Sequence, residues 1–200
     1  MSTPGFRSRS LRTIALLLTG IALCAGMSSC DKEPEFNLPP VTQNGSNTLG
    51  FKANGKVWVN YGQICNFFVC EDNYVEGRLH KNTDGTYSLN VRAEYHYSFK
   101  DEKKYISQSF SLSANDVSGP GTYTLTPTHS DMAAMEVDMT QNDFYHLVKD
   151  ASLTLHLTRL DTISHIVSGQ FEGKLNHYTD ASKIMHITDG RFDTKLTYSW

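Results

Sequence analysis

Thr86-Tyr-Ser-Leu-Asn-Val-Arg-Ala-Glu-Tyr-His-Tyr-Ser-Phe99 alternates without a break. Tyr87, Leu89, Val91, Ala93, Tyr95, Tyr97 and Phe99 fall on one face, and Ser88, Asn90, Arg92, Glu94, His96 and Ser98 on the other. Successive side chains of a strand point to opposite sides of its sheet, so this period of two predicts a long strand with one buried face. Tyr74 to His80 precedes it across Asn82-Thr-Asp-Gly85, which reads as a hairpin connection. Upstream, Thr48 to Ala53 and Lys56 to Val59 flank Asn54-Gly55, a pair that tolerates the positive φ of a type I′ turn. Further strands are expected at Tyr105 to Leu112, Tyr123 to Thr126, Met135 to Met139, Ser152 to Leu160, Ile163 to Leu175, Lys183 to Ile187 and Arg191 to Tyr198. One helix-like stretch, Gln141 to Lys149, stands apart from them.

About ten short strands and almost no helix place residues 48–200 in one all-β domain, an antiparallel β-sandwich. A lipocalin-like closed barrel is the alternative, because both architectures alternate inward and outward residues. Parallel pairing is not expected, since the chain lacks crossover helices.

The amino-terminus has three parts. Arg7, Arg9 and Arg12 lie in a basic segment, Leu11 to Cys24 is mostly apolar, and Ala25-Gly-Met-Ser-Ser-Cys30 follows. The apolar run is shorter than the roughly 20 residues that a transmembrane helix needs. It reads as a signal peptide over residues 1–29. The last residues resemble the lipobox of lipoprotein signal peptides, with Met27 where leucine is usual, so Cys30 is expected to become the lipid-carrying first residue of the mature chain. An ordinary cleavage near Ala25, leaving Cys30 a free thiol, is the alternative. Residues 30–47 carry three prolines, charges and small polar groups with no periodicity, and are expected to be a flexible tether.

Of the four cysteines, Cys24 leaves with the signal and Cys30 is modified, so Cys65 and Cys70 remain. In an exported chain the simplest reading is one disulfide. Five extended steps would span about 16 Å, whereas bridged alpha carbons lie roughly 4.4 to 6.8 Å apart. If the bond exists, Asn66 to Val69 must form a tight loop rather than continuous strand. A zinc site is the rival reading, but one thiolate pair is an incomplete ligand set.

Removing residues 1–29 takes away three arginines and no acid, leaving 15 basic and 21 acidic residues, a net charge of −6 against −3 for the whole chain. No basic stripe exists to neutralise phosphates, which argues against nucleic acid as a partner.

Two segments carry a resemblance. Asn47-Thr-Leu-Gly-Phe-Lys-Ala-Asn-Gly-Lys-Val-Trp58 holds an NGxxW hairpin, and Leu160 to Leu175 contains Ser168-Gly-Gln-Phe171 and is followed by Ile187-Thr-Asp-Gly-Arg-Phe-Asp193. Together they are similar to an uncharacterised family, a domain of unknown function, of Bacteroidota lipoproteins. The match covers about 50 residues at the two ends of the domain, and Gln170 departs from it. The resemblance implies a lipid-anchored all-β protein and no activity. The acidic start after Cys30 resembles the signal that sends such lipoproteins to the cell surface, so outer-membrane attachment with surface exposure is expected.

These motifs have readings that need no ligand. Gly190 after Asp189 suits a hairpin turn, Gly169 suits a bulge or a close strand approach, and Phe171 and Phe192 suit the core. Arg191 and Asp193 share a strand face. A metal site built from Asp180, Asp189 and Asp193 with His177 or His186 is a weaker reading, since the tight oxygen-ligand spacing of calcium loops is missing. No cofactor is expected.

No nucleophile elbow, zinc-protease helix, phosphate loop or dinucleotide fingerprint occurs. The histidines are scattered, and His156 within Leu153-Thr-Leu-His-Leu157 reads as a solvent-facing strand residue. Glu71 and Asp72 are adjacent, so on a strand they would point to opposite faces rather than flank one substrate. No catalytic residue is nominated. Three functional classes follow. A non-catalytic binding module for glycan or protein, presenting exposed Tyr or Trp, is preferred. A barrel holding a small apolar ligand is the second. A hydrolase with a dispersed site, recognisable by ionisable side chains converging in a pocket, is the third.

Overall fold

The computed structural model describes residues 32–66, 68–100, 104–138, 143–148 and 151–199. The expected signal peptide and Cys30 lie outside the described residues. From Glu33 onward the chain is one compact unit.

The described residues form thirteen strands. They are β1 (Thr48–Ala53), β2 (Lys56–Val59), β3 (Gln63–Asn66), β4 (Val69–Asp72), β5 (Val75–Lys81), β6 (Tyr87–Ser98), β7 (Tyr105–Val117), β8 (Gly121–Leu125), β9 (Met132–Asp138), β10 (Asp143–His146), β11 (Leu153–Asp161), β12 (Ile166–His177) and β13 (Ile184–Ser199). A 3-10 turn, Pro127–His129, separates β8 from β9. The first layer runs β8-β11-β12-β13-β1-β2, antiparallel throughout. The second runs β5-β6-β7-β9-β10, also antiparallel.

The layers face each other across a packed aromatic core, which makes the fold an antiparallel β-sandwich. Phe51 of β1 lies 4.7 Å from Phe110 of β7, ring centre to ring centre, and Phe110 stacks on Phe171 of β12 at 5.2 Å. Trp58 stacks on Phe51 at 5.0 Å. Such pairs contribute about 0.5 to 1.5 kcal/mol each beyond their burial. These side chains fill the space where a lipocalin-like barrel would hold its ligand.

Two seams join the layers. The end of β13 pairs with β5, Leu196 to Ser199 against Gly77 to His80, and this pairing is parallel. The end of β12 pairs with β10 at His177 and Asn176. The parallel seam departs from the expectation of purely antiparallel pairing. It needs no crossover helix, because β5 and β13 belong to different layers and most of the domain runs between them. Both edges of the second layer are thus paired, and among the described residues only β2 and β8 remain as free edges of the large sheet.

The turn residues do what their chemistry suggests. Asn54 and Gly55 have φ of 49° and 86°, and Gly85 has 91°. In β6, Leu89, Val91, Ala93 and Tyr95 are buried.

Three expectations are corrected. The helix expected over Gln141 to Lys149 is instead β10 where it is described; residues 141, 142 and 149 lie outside the described set. Phe144 faces Glu136 and Tyr145 faces Met135 of β9, and Leu147 enters the core. Cross-strand packing of aromatic residues outweighs a weak helical pattern.

Asp189-Gly190 is not a hairpin turn. It is a bulge inside one continuous strand, with Asp189 at φ 55°. Partner strands on both sides hold β13 extended through it, and each ladder shifts register there. Gly190 permits the close approach, since a β-carbon would come within 2.4 Å of the Phe171 carbonyl. At Gly169 the expected close approach occurs, with the Phe192 ring 2.9 Å from where a β-carbon would stand.

Residues 33–47 are not a free tether. They lie on the sandwich as a strap. Phe36 packs on Tyr61 and Tyr95, with ring centres at 4.7 and 6.3 Å. Pro39 passes so close to Gly50 that a β-carbon there would meet its ring at 2.6 Å. Arg191 donates to the Pro39 carbonyl and Arg159 to that of Gln43. The strap closes over Asp193, which is 1% exposed and accepts from the Thr42 hydroxyl, the Ser168 hydroxyl and the amides of Asn44, Gly45 and Ser46. Polar composition hid this docking, because apart from Phe36 and Pro39 the strap is held largely through its backbone amides and carbonyls.

Candidate functional site

Cys65 and Cys70 sit directly opposite each other in the β3–β4 hairpin, joined as a disulfide with alpha carbons 4.0 Å apart. Asn66 pairs with Val69 at the end of this hairpin, as a tight connection between them requires; residue 67 lies outside the described residues. The bridge also uses both thiols, which removes the zinc reading. The hairpin is a separate two-stranded sheet. At its base Gly62 has φ 87° and lies against the His96 carbonyl, so no side chain fits there.

Beneath the hairpin is a groove of about 810 Å³. The hairpin contributes Ile64, Val69 and Glu71 to it, the outer faces of β5 and β6 form its floor, and Thr194, Lys195 and Thr197 of β13 stand on the far side. The floor follows from register. Glu76 of β5 faces Arg92 of β6, and Arg78 faces Asn90. With a two-residue period, Glu76, Arg78, Arg92 and Glu94 all point outward together.

These groups are paired. The Tyr74 hydroxyl donates to Glu76 at 2.6 Å, the Thr197 hydroxyl donates to it at 3.2 Å, and Arg78 bridges it at 2.9 Å. Arg92 bridges Glu94 at 2.7 Å, and His96 lies 3.1 Å from the same carboxylate. On the β7 side, Asn90 donates to Ser113 at 2.7 Å.

The electrostatics follow from this pairing. The hydrogen bond from Arg78 holds the Glu76 carboxyl below its ordinary range, and Tyr74 assists. Burial, then the neighbouring Glu76 carboxylate, pushes Tyr74 up to about 12. At neutral pH the floor therefore presents a fixed carboxylate, a fixed guanidinium and a neutral hydroxyl. A general acid or base needs a pKa near the working pH. Both Glu76 and Tyr74 are shifted away from it. The arrangement suits hydrogen-bonded recognition of a polar ligand, with Phe68 fully exposed and Val69 63% exposed on the overhanging hairpin.

The other candidate residues are dispersed. Asp193 is enclosed by the strap, Asp189 pairs with Lys52 at 2.8 Å, and Asp180 accepts from Ser182. His177 lies 3.3 Å from Asp143, and the His186 amide donates to Asn54. Among the described residues no group of three His, Cys, Asp or Glu is placed to hold a metal. Arg191 and Asp193 do share a face, but each engages the strap rather than the other. Glu71 lines the groove, Asp72 accepts from Gln63, and His156 is exposed beside Thr122.

Sequence reasoning missed the groove itself. The polar face of β6 was legible, but the facing carboxylate and guanidinium of β5 required the register. Among the described residues no Trp is exposed, since Trp58 is in the core; the exposed aromatics include Phe68, Tyr105 and Tyr178. Comparison with protein families, with characterised proteins and with solved structures finds no match to this chain.

Proposed function

We propose that this protein is exported, lipidated on Cys30 and held at the cell envelope, where the sandwich is a non-catalytic module that binds a glycan in the groove under the disulfide hairpin. The three-part amino-terminus supports export and lipidation. The resemblance of both ends of the domain to Bacteroidota lipoproteins is in keeping with an outer-membrane, surface-exposed setting.

The observation that carries the binding reading is the saturated polar floor. Glu76, Arg78, Arg92 and Glu94 are ion-paired and oriented in an open groove. Glycans are recognised by fixed donors and acceptors beside an aromatic ring, and Tyr74 is the aromatic residue that lines the groove. The hydrolase alternative asks for ionisable side chains converging in a pocket, as Tyr74, Glu76 and Arg78 do, but also for a carboxyl raised toward neutrality, and Glu76 is lowered. The apolar-ligand barrel asks for a central cavity, and the Phe51, Phe110 and Phe171 rings pack together at the centre of the sandwich.

The test is binding of the intact protein to an array of bacterial and host polysaccharides, followed by calorimetry on the best ligand. Glu76→Gln and Arg92→Ala are expected to weaken binding by about tenfold each, the size of a lost hydrogen bond to a charged group. Binding that ignores both substitutions, or retention of a protein partner and no glycan, would refute this assignment.

A further inference from the structure

The strap does more than cover Asp193. Its first residues, 33–36, run across a second cavity of about 490 Å³ lined from both layers of the sandwich. Ala53 and Lys56 beside the Asn54-Gly55 turn line it from the first layer, and Val137 at the end of β9 from the second. Trp58, Met135 and Met185 form its inner wall and are only 7%, 2% and 6% exposed. Methionine is unbranched and conforms to a flexible chain. Polar groups stay at the rim, where Glu33 accepts from the Tyr95 hydroxyl at 2.8 Å and lies 3.6 Å from the Lys56 ammonium.

The size falls in the range of about 300 to 1,000 Å³ typical of sites that enclose small ligands. The inner wall is apolar apart from Gln108, whose side-chain oxygen accepts from the Trp58 indole at 2.9 Å, and the mouth is charged, a pattern that suits a hydrocarbon tail entering from a polar attachment point. A hydrocarbon tail laid in the cavity removes its apolar wall from water, which is favourable by about 25 cal/mol for each Å² covered.

The length of chain beyond the described residues identifies the tail. Glu33 stands three residues after Cys30, and three extended steps reach only about 10 to 11 Å. Whatever is attached to Cys30 therefore begins close to this rim. A group tethered so closely is present at high effective concentration and needs no free ligand.

We infer that one acyl chain of the lipid on Cys30 folds back into the cavity bounded by Trp58, Met135, Val137 and Met185, while the remaining chains hold the protein in the membrane. This rests on the reading of Cys30 as lipidated. Its consequence is orientation: the strap end of the sandwich lies against the bilayer.

The experiment uses the full-length precursor made in bacteria fed a palmitate analogue that carries a photoreactive diazirine. Membranes are irradiated, the protein is purified, and its peptides are mapped by mass spectrometry. The expected product joins the Cys30 peptide, through its acyl chain, to peptides that contain Trp58, Met135 to Val137, or Met185. Val137→Trp, which fills the cavity and leaves the sequence of Cys30 and the strap unchanged, is expected to lower that yield severalfold. If Cys30 carries the labelled chain but is joined only to phospholipid, the inference is overturned and the lipoprotein reading stands. It is equally overturned if the cavity peptides are modified by free phospholipid instead of the Cys30 chain. If the Cys30 peptide carries no acyl chain at all, the lipoprotein reading fails and this inference fails with it.

Discussion

Asp193 is the residue on which the strap turns. Burial by itself would raise its pKa, but the hydrogen bonds from Thr42, Ser168, Ser46 and Gly45 outweigh that and bring it down to about 2. An unfolded aspartate titrates near 3.9. The folded value is depressed, so the contribution is fully present above the unfolded pKa of about 4 and is lost as pH falls through about 2. Its size is between about 2 and 3 kcal/mol. Urea denaturation across pH 2 to 7 should show this loss. Asp193→Asn should lower stability at pH 7 by a similar amount or more, since buried amides of the strap lose a charged acceptor, and should flatten the pH dependence between 4 and 2. An unchanged slope in the variant would mean that other carboxylates carry the acid sensitivity.

Among the elements, the β3–β4 hairpin is the one whose stability is separable. It forms its own small sheet, and none of its described residues belongs to the buried apolar core. Closing a loop of this size by a disulfide is worth about 2 kcal/mol in the chain-entropy account. Most of that effect should stay local. In the Cys65→Ser, Cys70→Ser double variant, amide exchange in residues 63–72 should speed up by an order of magnitude or so, while the melting temperature of the sandwich moves by only a few degrees. Glycan affinity should fall as well, because the hairpin is one wall of the groove. A global loss of stability equal to the local one would show that the hairpin is integral to the core. The strap is the opposite case, a segment without regular structure that is fixed at several points by Arg159, Arg191 and Asp193.

At the scale of the whole molecule, anchor and body are coupled by length. A tether free to residue 47 would let the domain wander tens of ångströms from a membrane. Docking from Glu33 onward leaves two residues between Cys30 and the body, so a lipid on Cys30 would hold the sandwich at the headgroups. Two acyl chains make such attachment stable. Intact-mass measurement of the native mature protein should show residues 30–200, beginning at Cys30, with added mass of a diacylglycerol or more. A chain that begins near Gly26 with a free thiol at Cys30 would remove the anchor.

Local chemistry determined much of this before any coordinates. The period-two pattern of Thr86 to Phe99, the positive-φ pairs at Asn54-Gly55 and Gly85, and the spacing of Cys65 and Cys70 each act within a few residues, so the chain itself declares strands, turns and the bridge. Tertiary structure decided what depends on partners distant in sequence. Whether Asp189-Gly190 turns or bulges depends on β1 and β12 flanking it, because a strand paired on both sides stays extended. The fate of the Gln141 to Lys149 stretch depends on β9 and β12, which offer its aromatic residues a sheet to pack on. The groove exists only because register sets Glu76 opposite Arg92, and the strap lies down only because Asp193, some 150 positions later, gathers its amides. Hydrogen-bonded backbone leaves no hydrophobic pattern in a sequence, and for that reason the segment that read as a loose linker is part of the folded body.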